Sequence, residues 1–404
     1  MIIRFSLLVL IVACVSCNSV TKHKTVNSNT FKKDTIIRVG ANQTTEYLPL
    51  LKGKRVGITA NQTSVIFKSD TQLEYTHLVD SLLLLNIDVK KVFAPEHGFR
   101  GQADAGEHIA DGTDAKTGLP IISLYGANSK PSKANLEDID VMVFDIQDVG
   151  VRFYTYISTL HYIMEACAEL NIPVVVLDRP NPNGHYIDGP ILEEDLKSFV
   201  GMHPVPVVYG MTIGEYAKMI NGEKWLKQGV QCDLTVVNLK NYAHHLGYNL
   251  PIKPSPNLPN AVAVNLYPSL CFFEGTTVSC GRGTAMQFQV FGAPTLPSSI
   301  FEFSFTPQPN LGSKAPKYKG ELCYGMDLRR QVKLHDLNLE WLITAYHSSL
   351  EKEVFFNAFF SKLAGTKTLQ KQIENGLSSP EIKAKWQLGL NAFKNTRANY
   401  LLYK

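Results

Sequence analysis

The stretch Val141-Met142-Val143-Phe144-Asp145-Ile146, running directly into Gln147-Asp148-Val149-Gly150, decides the fold. An apolar run without alternation is a strand buried on both faces, the signature of a parallel sheet covered by helices. Working outward, residues 55–59 read as a first strand opening into Ala60-Asn61-Gln62-Thr63. Residues 89–94 read as a second, ending at Pro95-Glu96-His97-Gly98-Phe99-Arg100-Gly101, and residues 121–125 as a shorter third. Between the first two, residues 72–86 are expected to be helical, with Tyr75, Leu78, Val79, Leu82 and Leu85 on one face. Downstream, residues 158–171 return as a helix burying Leu160, Met164 and Cys167, and residues 174–177 form a strand ending at Asp178-Arg179-Pro180-Asn181-Pro182. Strands alternating with helices imply an α/β, Rossmann-like parallel sheet.

Ligands of such sheets bind beyond the carboxyl ends of the strands. Four strand ends here carry dense polar clusters: Asn61-Gln62, Glu96-His97, Gln147-Asp148 and Asp178-Arg179. The second half is mixed. A capping box, Thr212 with Glu215, opens a helix over residues 212–221, and residues 232–237 read as a strand. Pro254-Ser255-Pro256-Asn257-Leu258-Pro259 must be a rigid loop, residues 272–284 are glycine-rich and residues 294–316 irregular. Residues 337–350 and 379–395 read as closing helices, the latter with Ser379 as N-cap and Pro380 at the first helical position.

At 404 residues the chain is long enough for two domains. Residues 36–200 are expected to be the Rossmann-like catalytic domain and 201–404 a smaller mixed α/β domain. The net charge of +4 is dispersed, unlike the basic stripe of a nucleic-acid binder, so no nucleic acid is expected. Residues 1–16 carry Arg4 and then an apolar run too short to cross a bilayer, the pattern of a secretory signal. That run ends in Ala13-Cys14-Val15-Ser16-Cys17, resembling a bacterial lipobox with Cys17 as the acylated residue; Cys14 is the rival, and ordinary signal cleavage the alternative. Lipidation would tether the protein to a membrane facing the periplasm, through a polar linker over residues 17–35. The five remaining cysteines have no paired metal spacing, so no metal site and no redox role are expected.

There is no G-x-S-x-G, H-E-x-x-H or Walker A sequence, and Gly281-Arg282-Gly283 lacks the third glycine of a dinucleotide fingerprint. No cofactor is expected. Glu96 stands out, wedged between Pro95 and His97-Gly98 just past a strand. A partly desolvated carboxylate in such a turn holds its proton to higher pH and can act as a general acid. The plainer alternative is a cap, or a pair with Arg100. Arg152, Arg179 and Arg282 lie among glycine, aromatic and proline residues, where a guanidinium either binds a carboxylate or ties loop carbonyls. Tyr154 and Tyr156 either stack on a sugar or pack within the fold, and Asp145 reads as a loop organiser.

Together, residues 57–63, 95–101, 123–126, 144–156, 177–182, 254–259, 273–276 and 281–284 resemble the NamZ-type exo-β-N-acetylmuramidases, first catalogued as a domain of unknown function. The likeness runs from Arg55 to Tyr403. It implies a Rossmann-like N-terminal domain, a smaller C-terminal α/β domain and an active-site cleft between them. It also implies release of N-acetylmuramic acid (MurNAc) from the non-reducing end of peptidoglycan-derived muropeptides or disaccharides. Glu96 falls on the glutamate proposed as catalytic in that family. The candidate substrate-binding set is Asn61, His97, Arg100, Gln147, Asp148, Arg152, Tyr154, Tyr156, Asp178, Arg179, Asn181, Asn257, Glu274 and Arg282. Two departures are visible: Cys280 stands where an acidic residue is expected, putting a second carboxylate there in doubt, and Ser269 follows Tyr267-Pro268 in place of glycine. MurNAc carries a lactyl carboxylate, so an enzyme selecting it needs a guanidinium in its pocket, with Arg282 and Arg152 the candidates.

Two other classes compete. A non-catalytic glycan-binding lipoprotein would keep the aromatic and arginine residues without needing Glu96. A peptidoglycan amidase or esterase would need zinc ligands, for which His97 and His108 lack the spacing, or a nucleophile elbow, which is absent.

Overall fold

The chain enters its main sheet at the centre, with Arg55–Ala60 (β1) buried at every position but the first. A short antiparallel hairpin follows, Val65–Phe67 (β2) with Tyr75–His77 (β3). The sheet then continues through Asp88–Ala94 (β4), Gly112–Thr113 (β5), Pro120–Ser123 (β6), Val141–Asp145 (β7), Val174–Leu177 (β8) and Leu234–Val237 (β9). This computed structural model describes residues 35–101 and 111–403. The signal, Cys14, Cys17, the linker up to residue 34 and His108 lie outside the described residues.

Strand order is β5-β6-β4-β1-β7-β8-β9. All neighbours pair in parallel except β5, which runs antiparallel to β6 at the edge. The chain builds outward from β1 through β4 to β6, returns to β7 on the other side of β1, and continues to β9. That reversal makes a topological switch point between β1 and β7, the place where Rossmann-type sheets bind ligands. β7, the run that decided the fold, is buried along its whole length. Its register against β1, Val56 opposite Val141 through Ala60 opposite Asp145, brings Asn61 and Ile146 out at the same edge.

The expected helix over residues 72–86 is shorter. Tyr75, Thr76 and His77 pair with Phe67, Ile66 and Val65, and the helix spans only Leu78–Leu84. β-branched and aromatic residues favour the strand, and the His77 ring accepts a hydrogen bond from the Val79 amide to start the helix. Tyr75 is therefore half exposed, not on a buried helical face.

β9 comes from beyond residue 200, where the sequence places the second domain, and hydrophobic packing runs on from Phe93 to Phe393. Residues from Ile36 onward form one unit. The second half adds a three-stranded antiparallel sheet of Val290–Ala293 (β10), Phe303–Phe305 (β11) and Cys323–Asp327 (β12), ordered β10-β12-β11. This half also contributes helices, including Ala261–Leu270, Phe359–Ala364 and Ser379–Ala398. The last is capped by Ser378, one residue earlier than expected, because the Glu381 carboxylate reaches the Ser378 amide and hydroxyl. The Thr212–Glu215 capping box opens Ile213–Gly222 as expected.

Candidate active site

β4 delivers Glu96. The Gly98 amide donates to the Pro95 carbonyl at 3.0 Å, closing a tight turn with Glu96 and His97 at its two central positions. His97 takes a left-handed φ of 70°, an uncommon conformation for a side-chain-bearing residue and one found at functional sites. The turn presents Glu96 half-buried, and Thr155, which precedes the helix Tyr156–Glu169, donates its hydroxyl to Glu96 Oε2 at 2.8 Å.

Glu96, His97, Tyr154 and Thr155 form one side of a cavity of about 310 Å³. Its other side comes from the second half of the chain, including Asn257, Tyr267, Glu274, Arg282 and Leu363. Two carboxylates, Glu96 and Glu274, thus face one space. Arg282 Nη1 donates to Glu274 Oε1 at 3.0 Å, and Arg282 Nη2 to the Gly312 carbonyl at 3.3 Å. Asn257 Nδ2 donates to that same carbonyl at 2.6 Å, while its Oδ1 has no partner among the described residues. Aromatic edges complete the wall: the Tyr154 ring meets Tyr267 edge-on, centroids 5.9 Å apart.

Models of the N-terminal and C-terminal parts of the exo-β-N-acetylmuramidase NamZ match residues 56–262 and 265–403. The chain belongs to the NamZ exo-β-N-acetylmuramidase family. It is therefore a glycoside hydrolase. It is 40% identical over 385 residues to the peptidoglycan β-N-acetylmuramidase NamZ of Bacillus subtilis (strain 168), spanning 89% of each chain. Two crystal structures of DUF1343 family proteins from Bacteroides fragilis are similar. One has a TM-score of 0.83 at 46% identity, covering 91% of this chain and 99% of its own. The other has a TM-score of 0.74 at 28% identity, covering 92% and 100%.

Within this NamZ-family fold, six of the candidate residues line the cavity: Glu96, His97, Tyr154, Asn257, Glu274 and Arg282. The others do not line it, and each has a visible structural task. Arg152, a candidate reader of the lactyl carboxylate, is fully buried and donates to the carbonyls of Pro190, Val205, Leu363 and Ala364 at 2.8–3.0 Å. It holds the backbone behind Leu363. Burial alone pulls its guanidinium down to about 9. Arg179 grips Asp145 bidentately at 2.6 and 2.9 Å and also reaches the Val65 carbonyl.

Asp178 accepts from the Gly214 amide, the Thr212 hydroxyl and the Tyr403 hydroxyl, so it anchors the C-terminal segment to β8. Asn181 bonds the Met211 carbonyl and the Asn183 amide. Gln147 bridges the Asp148 and Pro180 carbonyls. Asp148 accepts from the Gly150 amide and from Tyr209; burial pushes its carboxyl up to about 6, and its Oδ1 has no partner among the described residues. Asn61 organises its own loop and meets the Tyr156 hydroxyl, which is buried below the wall. Arg100 pairs with Asp114 and Asp80 rather than Glu96, and lies over the Phe99 ring.

Thr155 and Ser255 lie inside motifs already visible in the sequence, yet neither stood out, because a lone hydroxyl carries no signal of its own. Phe359 and Leu363 reach the cavity from more than 250 residues beyond Glu96, with no local pattern to mark them. Cys280 occupies the position where an acidic residue is expected, and its sulfur lies 3.6 Å from Glu274 Oε1. Among the described residues, no cluster of His, Cys, Asp and Glu has the arrangement of a metal site.

Proposed function

We propose that the protein removes MurNAc from the non-reducing end of peptidoglycan-derived fragments such as MurNAc-GlcNAc, with Glu96 as general acid. The observation that carries this is that Glu96 and Glu274 both line one small cavity. Glycoside hydrolysis uses two carboxyl groups flanking the scissile bond. Glu96, oriented by Thr155, donates its proton to the leaving oxygen, and Glu274 supplies the second carboxylate. A cavity near the lower end of ligand-pocket volumes suits one terminal sugar ring, as exo cleavage requires.

Arg282 is the one permanent cation among the described lining residues, and in this reading it receives the lactyl carboxylate. Its bonds to Glu274 and to the Gly312 carbonyl fix the guanidinium at the cavity wall. The name of the Bacillus subtilis relative favours peptidoglycan as the source of the substrate. Lipidation at Cys17 would hold the enzyme at the cell envelope, where such fragments form; the lipobox-like end of the leader is the support for it. The experiment is hydrolysis of matched chromogenic MurNAc and GlcNAc β-glycosides. The MurNAc glycoside should be cleaved at least tenfold faster. Equal rates, or no cleavage of either, contradict the reading.

A further inference from the structure

Beside the catalytic cavity lies a larger, open depression of about 760 Å³. The two meet at Ser255, which lines both. They also share a partition. The Gly312 carbonyl that Arg282 and Asn257 bind from the cavity belongs to a residue lining the depression, and Gly283 continues from Arg282 into it. On the other flank, the Pro254 carbonyl receives Tyr154 from the cavity side and Gln62 from the groove side, at 2.9 and 3.0 Å. One thin layer of loop backbone therefore separates the spaces, and among the described residues only Ser255 lines both.

The groove's chemistry differs from the cavity's. It has amide side chains (Gln62, Gln287, Gln308, Asn310), one cation in Lys253, and no carboxylate among its described lining residues. Gln62 lines the groove with its Nε2 tied to the Lys253 and Pro254 carbonyls, which holds this side chain on the wall. Tyr75 and Leu311 stand exposed on its wall at 48% and 67%. An exposed aromatic ring beside amides and one cation is suited to a hydroxyl- and acetamido-rich chain with few carboxylates: the ring face packs on C–H groups, the amides bond the rim and Lys253 can meet a lactyl carboxylate.

We propose that this groove binds the leaving side of the substrate, the glycan chain beyond the bond being cut. The proposal rests on the muramidase reading of the cavity. An exo-acting pocket encloses the terminal sugar, so the chain must leave the cavity, and the groove adjoins it at Ser255. Size sets the number of sugars. The groove has more than twice the volume of the cavity, 760 against 310 Å³, so if one ring fills the cavity at least two fit the groove. The enzyme then prefers longer glycan fragments to a disaccharide.

The test compares kcat/KM on a chromogenic MurNAc glycoside, on MurNAc-GlcNAc and on the tetrasaccharide (MurNAc-GlcNAc)2, for wild type, Tyr75→Ala and Ala285→Trp. Ala285 is exposed on the groove, so an indole there obstructs it without disturbing the core. Wild type should cleave the tetrasaccharide about tenfold more efficiently than the disaccharide. Ala285→Trp should abolish that gain and Tyr75→Ala should lower it severalfold, both leaving the chromogenic glycoside within twofold. Equal wild-type efficiency on the two oligosaccharides overturns the proposal, as does a variant that slows all three substrates alike. Should wild type cleave no MurNAc glycoside, the muramidase reading fails, and calorimetric binding of the tetrasaccharide decides on the groove alone. Binding weakened about tenfold by Ala285→Trp supports it; binding absent or unchanged overturns it.

Discussion

Two neighbouring stretches of the same sheet edge carry similar polar residues and put them to opposite use. At the ends of β7 and β8, Asp145, Asp178 and Arg179 are buried and bonded to the protein itself. At the end of β4, Glu96 is half-buried and faces a cavity, where Glu274 and Arg282 meet it from the other half of the chain. A charged residue at a strand end is thus no evidence of chemistry by itself. What separates the two regions is whether the strand end opens on a cavity. The β8 end is covered by the segment after Met211 and by the C-terminal residues, whose Gly214 amide and Thr212 and Tyr403 hydroxyls satisfy the Asp178 carboxylate. The β4 end lines the cavity, with the Thr155 hydroxyl bonded to Glu96.

The largest expected effect comes from the open side. Glu96→Gln should lower kcat on a MurNAc glycoside by about 100- to 10,000-fold, the usual worth of a general acid, with the melting temperature nearly unchanged. A rate within threefold of wild type would erase the distinction drawn between the two regions. Next is the closed side: Arg179→Met leaves Asp145 as an uncompensated buried charge and should cost about 3–5 kcal/mol in denaturant unfolding. Turnover by the folded fraction should stay within about fivefold. Lost turnover at unchanged stability would move Arg179 into the active site.

Arg282→Met sharpens the comparison within the cavity. Loss of charge-assisted bonds to a lactyl carboxylate should lower kcat/KM for MurNAc glycosides about 10- to 100-fold, with the slow GlcNAc reaction little affected. If both fall together, Arg282 serves to hold Glu274.

The smallest effect is expected at Asp148. Burial raises its carboxyl from the ordinary 3.8 to about 6, so between these values the folded protein holds a proton that the unfolded chain has released. Its contribution to stability is therefore complete below 3.8 and lost as pH rises through about 6. Asp148→Asn does not titrate and should shrink the difference in melting temperature between pH 5 and pH 7.5 by on the order of 2 °C. An unchanged difference would mean Asp148 is already ionised across that range.

The sheet was legible in the sequence because its strands are apolar runs with polar ends, and β7 could be nothing but central. The β2–β3 hairpin was not, because Tyr75 and His77 also fit a helical face; only their pairing across the turn decides it. Glu96 was legible from its turn, with Pro95 before it and glycine after. Arg152 was illegible in principle: two of the carbonyls it binds belong to Leu363 and Ala364, more than 200 residues away. No local pattern distinguishes that arginine from Arg282.

The most direct measurement is made on two disaccharides of the same composition and opposite order. Incubated with MurNAc-GlcNAc and with GlcNAc-MurNAc, each β-1,4-linked, the enzyme should release free MurNAc and GlcNAc from the first and leave the second intact. Cleavage of both at similar rates, or of GlcNAc-MurNAc alone, would contradict a pocket built around a terminal MurNAc and its carboxylate.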